Sequence, residues 1–292
     1  MGNQLRYIIA SMRLQQWIKN FFIFAALIFS GNLFNTTDVI LTLEGFLFFS
    51  FIASSIYIIN DISDIEKDKQ HPEKSHRPLP SGKLSVSTAL AVAVILIIIG
   101  LGGGYYLEIE FFFVALAYLT INVIYSFGLK NVVILDVMTI SAGFVLRVIA
   151  GAVLINVPTS EWLIICTMLL SLFLGFNKRR HELTLLQSHA DNHRSVLQFY
   201  SPYFLDQMIG VVTACTVMSY ALYTISEETV KKFHTESLIY TLPFVLYGIF
   251  RYLYLVHKEE EGGNPTKLAV SDKPLLINII FWIITVSFII YR

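Results

Sequence analysis

The sequence predicts an all-α protein, a membrane-spanning bundle of about nine helices with a central polar cavity open to the cytoplasmic side. Of the 292 residues, 55% are hydrophobic and 14% are charged, whereas a soluble domain carries roughly 25% charged residues. The mean hydropathy is +0.64, and several apolar stretches are long enough for a span of about 20 residues. A net charge of zero predicts no nucleic-acid partner.

The first segment, residues 1–20, predicts an amphipathic helix that lies at the membrane interface. Apolar residues recur there at helical spacing against Arg6, Arg13 and Lys19, and Trp17 is placed as an interface anchor. The rest of the chain is expected to follow as membrane spans, so residues 1–292 are predicted to form a single transmembrane domain.

Nine apolar segments predict the spans. They cover residues 20–36, 39–61, 85–106, 110–128, 133–155, 160–178, 203–226, 236–256 and 274–291. Lys and Arg crowd the loops on one side of this arrangement and are scarce on the other, which is the charge bias of cytoplasmic loops. We therefore predict a multi-pass protein of the bacterial inner membrane, in contact with the lipid bilayer and with a cytoplasmic N terminus. The oligomeric state is open, and a homo-oligomer is compatible with the sequence.

A row of oxygen-bearing side chains follows the second predicted span. Asn60, Asp64 and Asp68 fall at i, i+4 and i+8, so they share one face if the helix continues. Tyr57 lies one turn earlier, and Asp61 is offset by one position. Carboxylate and amide oxygens suit Mg²⁺, which takes one or two protein carboxylates and shares its other positions with water and substrate phosphates.

Basic residues follow these acids. Lys74 and Arg77 come directly after the acidic row, and the combination of acids and bases at a membrane surface predicts a diphosphate site. A solvated helix end with ordinary charge scatter is the alternative interpretation. Tyr125 and Lys130 flank a short turn at Gly128, where Lys130 serves either this site or only as a cytoplasmic anchor.

Two further groups of cations are candidates for binding phosphate. Lys178, Arg179 and Arg194 belong to a basic stretch after the sixth predicted span. Arg147 lies inside the fifth predicted span, about 16 Å along a helix from Asp136. A permanent cation at that depth must face a polar cavity or a partner charge. A buried ion pair with an acid of the second predicted span is the alternative role for Arg147.

Several of these stretches resemble one known family. Residues 60–68, NDISDIEKD, match the NDxxDxxxD motif of the UbiA superfamily of intramembrane prenyltransferases, and residues 125–130 are similar to its YxxxK element. The resemblance is closer to the polyprenyl-phosphate phosphoribosyltransferase branch, of the decaprenyl-phosphate phosphoribosyltransferase type. Residues 13–20, 71–82, 125–130, 143–152 and 177–183 carry it.

This resemblance implies a reaction. A 5-phosphoribosyl group would pass from 5-phosphoribosyl 1-diphosphate (PRPP) to a polyprenyl phosphate in the presence of Mg²⁺. The products would be 5-phosphoribosyl-1-phosphoryl-polyprenol, a precursor for cell-wall arabinan-type polymers, and diphosphate. The implied catalytic residues are Asp61, Asp64, Asp68, Lys130 and Arg147, with Asn60 and Asp64 as metal ligands. The implied substrate-binding residues are Lys19, Tyr57, Lys74, Arg77, Tyr125, Lys178, Arg179 and Arg194.

One departure bears on the donor. Superfamily members that transfer a prenyl group from a prenyl diphosphate carry a second aspartate-rich motif after the sixth helix. Here that loop holds Lys178, Arg179, Arg180, Glu182 and Asp191 instead, which suits a lipid phosphate. An aromatic polyprenyltransferase that uses a prenyl diphosphate and 4-hydroxybenzoate or a quinone precursor is the alternative enzyme. A transporter or scaffold whose acids and Arg147 form a permeation path is the alternative without catalysis.

Overall fold

A computed structural model describes residues 2–70, 74–186, 195–258 and 265–292 of the chain. Throughout those ranges the regular structure is helical, with no strand. Eight of the described helices are long and apolar enough to cross a membrane. The predicted all-α, multi-pass membrane fold is therefore confirmed, while the count of nine spans stays a prediction.

Thirteen α-helices occur in the described residues. They are α1 (Gly2–Met12), α2 (Phe24–Phe29), α3 (Thr36–Ser63), α4 (Ile65–Lys69), α5 (Val86–Leu107), α6 (Ile109–Phe127), α7 (Leu135–Leu154), α8 (Glu161–Leu186), α9 (Pro202–Ile225), α10 (Glu227–Phe233), α11 (Leu242–Lys258), α12 (Pro265–Ser271) and α13 (Lys273–Tyr291). Short 3-10 helices cover Leu14–Ile23, Lys74–His76, Leu129–Asn131, Ser195–Phe199 and Ser237–Thr241.

The N-terminal segment is not the continuous helix that its periodicity suggests. α1 ends at Met12, and Arg13 adopts a left-handed conformation with φ 52° and ψ 55°. The chain then continues as the 3-10 helix Leu14–Ile23, which runs directly into α2. The predicted span 20–36 is thus divided between a 3-10 helix and a short α-helix, and it is not among the eight long apolar helices. The interfacial position of residues 1–20 stays a prediction.

Two glycines allow close backbone contacts, one between α5 and α3 and one between α7 and the 3-10 helix Leu14–Ile23. A Cβ atom on Gly100 of α5 would lie 2.9 Å from the carbonyl oxygen of Phe48 in α3. A Cβ atom on Gly151 of α7 would lie 1.9 Å from the carbonyl oxygen of Ile23. No side chain fits at either distance, so only glycine allows these backbones to approach so closely.

The chain divides into two compact units. Unit 1 comprises Met1–Thr139 and Leu146–Thr159, and unit 2 comprises Ile140–Val145 and Ser160–Arg292. The core of unit 1 contains the fully buried rings of Phe49 and Phe111, which pack together with their centroids 6.3 Å apart. In unit 2, Ser141 donates to the Met168 carbonyl oxygen at 3.0 Å. The prediction of one domain over residues 1–292 stays a prediction.

Candidate active site

The acidic stretch lies at a break between two helices of unit 1. α3 ends at Ser63, Asp64 has φ −107° and ψ 11°, and α4 begins at Ile65. The row expected at i, i+4 and i+8 therefore does not continue along one straight helix. On either side of this break, Asp61 and Asp68 share one cationic partner, and Asp64 at the break has another.

Asp61 and Asp68 are brought together by one arginine. Arg77 Nη1 donates to Asp61 Oδ1 at 3.1 Å and to Asp68 Oδ2 at 2.7 Å. Arg13 donates to the same Asp61 oxygen, and Lys74 Nζ lies 3.8 Å from Asp68 Oδ1. Asp61 and Asp68 are only 4% and 5% exposed. Two buried carboxylates thus share three cations, an arrangement in which each charge is compensated by more than one neighbour.

Asp64 has a different partner. Lys130 Nζ donates to Asp64 Oδ1 at 2.9 Å across 66 positions of sequence. Lys130 lies in the 3-10 helix Leu129–Asn131, and Tyr125 is buried in the last turns of α6. The structure therefore joins two residues that the sequence placed in the same site on separate grounds. Asn60 is half-buried, and its carbonyl oxygen accepts from the Asp64 amide at 3.0 Å.

A second polar centre of unit 1 surrounds Arg147, which is 4% exposed. Arg147 Nε donates to Asn20 Oδ1 at 2.7 Å, and Nη2 donates to the Tyr118 hydroxyl at 2.7 Å. The guanidinium carbon also lies 4.6 Å from the Tyr118 ring centroid and 5.5 Å from that of Phe49. Asn20 in turn donates to Ser50 Oγ at 2.8 Å. The predicted depth of this cation is thus matched by hydrogen-bonding and aromatic neighbours.

Lys19 and Tyr57 lie close to these cations. The Arg13 guanidinium carbon is 5.3 Å from the Tyr57 ring centroid. Burial, followed by the nearby charges of Arg147 and Arg13, lowers the pKa of the Lys19 ammonium to about 8. Partial burial and neighbouring cations thus disfavour the charged form of Lys19, and an anion bound beside it would favour that form.

The acidic groups fit Mg²⁺ by chemistry. Among the described residues, no group of three or more His, Cys, Asp or Glu side chains lies close enough to enclose a metal ion. Mg²⁺ does not require such a cage, because it binds through one or two carboxylates together with substrate phosphates and water. Asp64, half-buried at the helix break and held by one lysine, offers a hard oxygen of this kind.

The basic stretch predicted after the sixth span belongs to unit 2. Arg179 is 1% exposed and donates to Glu182 at 2.6 Å, and Lys178 Nζ lies 3.8 Å from the same carboxylate group. Arg180 Nε donates to Asp206 of α9. Arg194 lies outside the described residues. The predicted substrate-binding role of Lys178, Arg179 and Arg194 stays a prediction.

Unit 2 also contains a cavity of about 490 Å³ beside α9 and α11. Its lining is mainly apolar, with Asp206 and His257 near the start of α9 and the end of α11. None of the predicted site residues lines it. The predicted central polar cavity, open to the cytoplasmic side, stays a prediction.

Sequence reasoning missed three residues that contact the predicted ones. Arg13 falls in the predicted interfacial segment, Asn20 falls where that segment meets the first predicted span, and Tyr118 falls inside the fourth predicted span. The available signal was weak but real, because Asn20 and Tyr118 are polar residues within apolar segments. Their partners, Asp61 and Arg147, are distant in sequence, so only the folded chain reveals the contacts.

Fold and site together define an all-helical membrane protein whose unit 1 contains a buried arginine and an acidic helix break. The chain belongs to the UbiA prenyltransferase family, whose family model matches residues 20–270. The family resemblance of the sequence motifs is thereby confirmed. Membership makes the chain a membrane transferase, so the interpretation as a transporter or scaffold without catalysis is wrong.

Two similar curated proteins carry the same name. The chain is 30% identical to the decaprenyl-phosphate phosphoribosyltransferase of Mycolicibacterium smegmatis, over 99% of this chain and 94% of that protein. It is 31% identical to the decaprenyl-phosphate phosphoribosyltransferase of Corynebacterium glutamicum, over 97% of this chain and 86% of that protein.

Solved structures agree on the fold. A UbiA homolog from Archaeoglobus fulgidus, bound to GPP and Mg²⁺, superposes with a TM-score of 0.73. The match covers 98% of this chain and 99% of that one, at 19% sequence identity. At this identity the likeness concerns the helical architecture alone.

Proposed function

We propose that this protein transfers a 5-phosphoribosyl group from PRPP to a polyprenyl phosphate of the decaprenyl phosphate type. The products are 5-phosphoribosyl-1-phosphoryl-polyprenol and diphosphate, and the lipid product serves cell-wall arabinan-type precursor synthesis. The observation that carries the proposal is the near-full-length similarity to two proteins named for this activity, at 30% and 31% identity. We further propose that it works in a bacterial inner membrane, with its N terminus in the cytoplasm.

The acidic helix break is the proposed donor site. Asn60 and Asp64 would hold Mg²⁺, with Asp61 and Asp68 in support, and the bound ion would supply positive charge to the leaving diphosphate. The present partners of these carboxylates support this use. Lys130 and Arg77 donate hydrogen bonds to carboxylate oxygens. Phosphate oxygens are equally good acceptors for the same N–H groups.

Binding of the donor would therefore be an exchange of partners. The N–H groups of Arg77, Lys130 and Lys74 would turn to the diphosphate and the 5-phosphate of PRPP, which would leave carboxylate oxygens available at the helix break. Lys19, Tyr57 and Tyr125 complete the donor pocket in this proposal. The exchange keeps every buried charge compensated, which a site assembled only from acids would not achieve.

The chemical step needs no general base. A polyprenyl phosphate is already ionised at neutral pH, so its oxygen attacks the anomeric carbon of the ribose directly. The bond from that carbon to the diphosphate oxygen breaks, and the electron pair leaves with the diphosphate. Lys178, Arg179 and Arg194 are the proposed partners of the lipid phosphate, and Arg147 stabilises developing negative charge.

Purified protein assayed with two substrate pairs tests the proposal. One assay contains labelled PRPP and a polyprenyl phosphate, and the other contains a prenyl diphosphate and 4-hydroxybenzoate. We expect labelled phosphoribosyl lipid only from the first pair, only with Mg²⁺, and none after chelation with EDTA. A prenylated aromatic product from the second pair, with no product from the first, would overturn the proposal in favour of an aromatic polyprenyltransferase.

A further inference from the structure

Asn20 is the buried residue that links Arg147 to the rest of unit 1. Its side chain is 1% exposed and is held at both ends. The amide nitrogen donates to Ser50 Oγ at 2.8 Å, and the amide oxygen accepts from Arg147 Nε at 2.7 Å. Arg147 Nε–H can only donate, so the amide oxygen of Asn20 must face Arg147 and the amide nitrogen is left to donate to Ser50.

A second contact completes the orientation of the guanidinium group. Tyr118 accepts from Arg147 Nη2 at 2.7 Å, on a different edge of the planar fork from Asn20. Two hydrogen bonds to two nitrogens define both the plane and the rotation of the group. Both acceptors are neutral, so these bonds orient the arginine without adding negative charge to it.

The surroundings of Arg147 point to an anion. Lys19 precedes Asn20 on the same 3-10 helix, and its ammonium is close enough to feel the charges of Arg147 and Arg13. Arg147 is buried and Lys19 is half-buried, so an anion bound beside them would be attracted to both cations and would favour the charged form of Lys19. The phosphorylated groups of both proposed substrates have the required charge.

We infer that Asn20 is a positioning residue, which aims Arg147 at a phosphate group of a substrate and preserves the positive charge of the arginine by being an amide rather than an acid. This inference rests on the proposed function for the identity of the substrate. PRPP and a polyprenyl phosphate present the same chemistry to Arg147, and separate KM values for the two distinguish them.

Asn20→Asp is the decisive variant. A carboxylate has the shape of the amide, accepts from Arg147 Nε and accepts a hydrogen bond from the Ser50 hydroxyl. The variant therefore retains the contacts but places a negative charge beside Arg147. Asn20→Ala removes the contacts instead. Asn278→Asp is the matched control, because Asn278 of unit 2 also donates within the chain, to the Phe244 carbonyl oxygen at 2.9 Å.

For each variant we would measure the thermal unfolding midpoint and its shift on adding inorganic diphosphate. The KM and kcat for each substrate would be measured as well. We expect Asn20→Asp to unfold at or above the wild-type temperature, yet to lose the diphosphate shift and raise the KM of one substrate at least tenfold. Asn20→Ala is expected to lower the midpoint and raise the same KM. Asn278→Asp is expected to lower the midpoint and leave both KM values unchanged.

In Asn20→Asp the unfolding midpoint is expected to be kept or raised while substrate binding is weakened. This combination distinguishes a positioning role from a packing role for Asn20. If Asn20 only packs, catalysis follows stability, and Asn20→Asp keeps both wild-type KM values and the wild-type diphosphate shift. That result overturns the inference. If wild-type protein turns over no PRPP, the proposed function fails on its own, and the diphosphate shift of wild type against Asn20→Asp still decides the role of Asn20.

Discussion

Carboxylates in both units bind arginine, but the arrangement of the contacts differs between the units. In unit 1, Asp61 and Asp68 share Arg77, and Asp61 also binds Arg13. In unit 2, Asp272 accepts from Arg251 through both of its oxygens, at 2.7 and 3.2 Å. Asp272 also caps α13 by accepting from the Leu275 amide at 2.9 Å.

The difference distinguishes a structural acid from one suited to binding. Both oxygens of Asp272 are committed to a bidentate arginine and a helix start, so moving Asp272 to another partner would disrupt the start of α13. The acids of unit 1 lie at a break where no helix start depends on them through a side-chain cap. Arg77 is shared between Asp61 and Asp68, and each of these carboxylates has a second cation, so a phosphate can take over one contact of Arg77 while the others remain.

Asp64→Asn is expected to have the largest effect on activity. The substitution keeps the size of the side chain but removes the charge that Lys130 contacts and that the proposed mechanism assigns to Mg²⁺, so turnover with PRPP and polyprenyl phosphate should fall by roughly 10²- to 10³-fold. Steady-state assays over a range of Mg²⁺ concentrations measure this. Asp272→Asn is the matched control, with wild-type turnover per folded molecule. An Asp64→Asn protein with full, Mg²⁺-dependent turnover would contradict the metal assignment.

Arg77→Met should have the next largest effect. It removes the donor shared by Asp61 and Asp68 while keeping the apolar stem, so two buried carboxylates face each other with less compensation. We expect kcat/KM for PRPP to fall by about 10- to 100-fold and the free energy of unfolding to fall by about 1–3 kcal/mol. Arg251→Met in unit 2 should lower stability without changing the KM for PRPP. Equal KM effects in both variants would refute the distinction between the two kinds of acid.

Lys19 should make binding of the donor depend on pH. Because the pKa of the free ammonium is lowered from 10.5 to about 8, Lys19 loses its charge as the pH rises through 8. The KM for PRPP is therefore expected to increase between pH 7.5 and 9.5, and Lys19→Arg should remove most of that increase. The stability of the ligand-free protein should increase over the same pH range, although the affinity for PRPP falls. Between about 8 and 10.5 the unfolded chain retains the proton that the folded chain has lost, so the unfolding free energy gains from rising pH. A KM that rises equally in Lys19→Arg would assign the pH dependence to another group.

Asp272→Asn should have the smallest effect, confined to stability. Asn caps helices about as well as Asp, so only the ionic contact with Arg251 is lost, and a partly exposed contact of this kind contributes little to stability. The hydrogen bond from Arg251 holds the pKa of the Asp272 carboxyl below its usual range. Its contribution is thus present above the unfolded pKa and is lost as the pH falls through the lower, folded value. Thermal unfolding of wild type and variant should therefore differ at pH 7 and converge in acid, and a constant difference would contradict this account.

Hydropathy was sufficient to predict the eight long apolar helices of the described residues, and motif spacing grouped Asp64 with Lys130, which the structure joins. The predicted span 39–61 became Thr36–Ser63, and 203–226 became Pro202–Ile225, because apolar length alone determines such helices. Polar neighbours of Arg147 could also be expected, since a cation within an apolar segment needs them, and the structure shows Arg147 buried against Asn20 and Tyr118.

The remaining features depend on contacts that the sequence does not encode locally. Periodicity predicts a continuous helix through Arg13 and through Asp64, yet both residues leave helical geometry where Arg13 reaches Asp61 and Lys130 reaches Asp64. Asn20 lies 127 positions from Arg147, so its role follows only from the packing of the 3-10 helix on α7. Long-range contacts of this kind override local propensity.

The bare α-carbon of Gly151 has a consequence for Arg147. Gly151 follows Arg147 by one α-helical turn, and Ile23 follows Asn20 by one turn of the 3-10 helix, so the tight backbone approach and the amide–guanidinium bond are adjacent rungs between the same two segments. A methyl group at position 151 would act as a wedge and push the neighbouring segment, with Lys19 and Asn20 on it, away from the arginine. The reach of a charged side chain is in this way fixed by a residue that has no side chain.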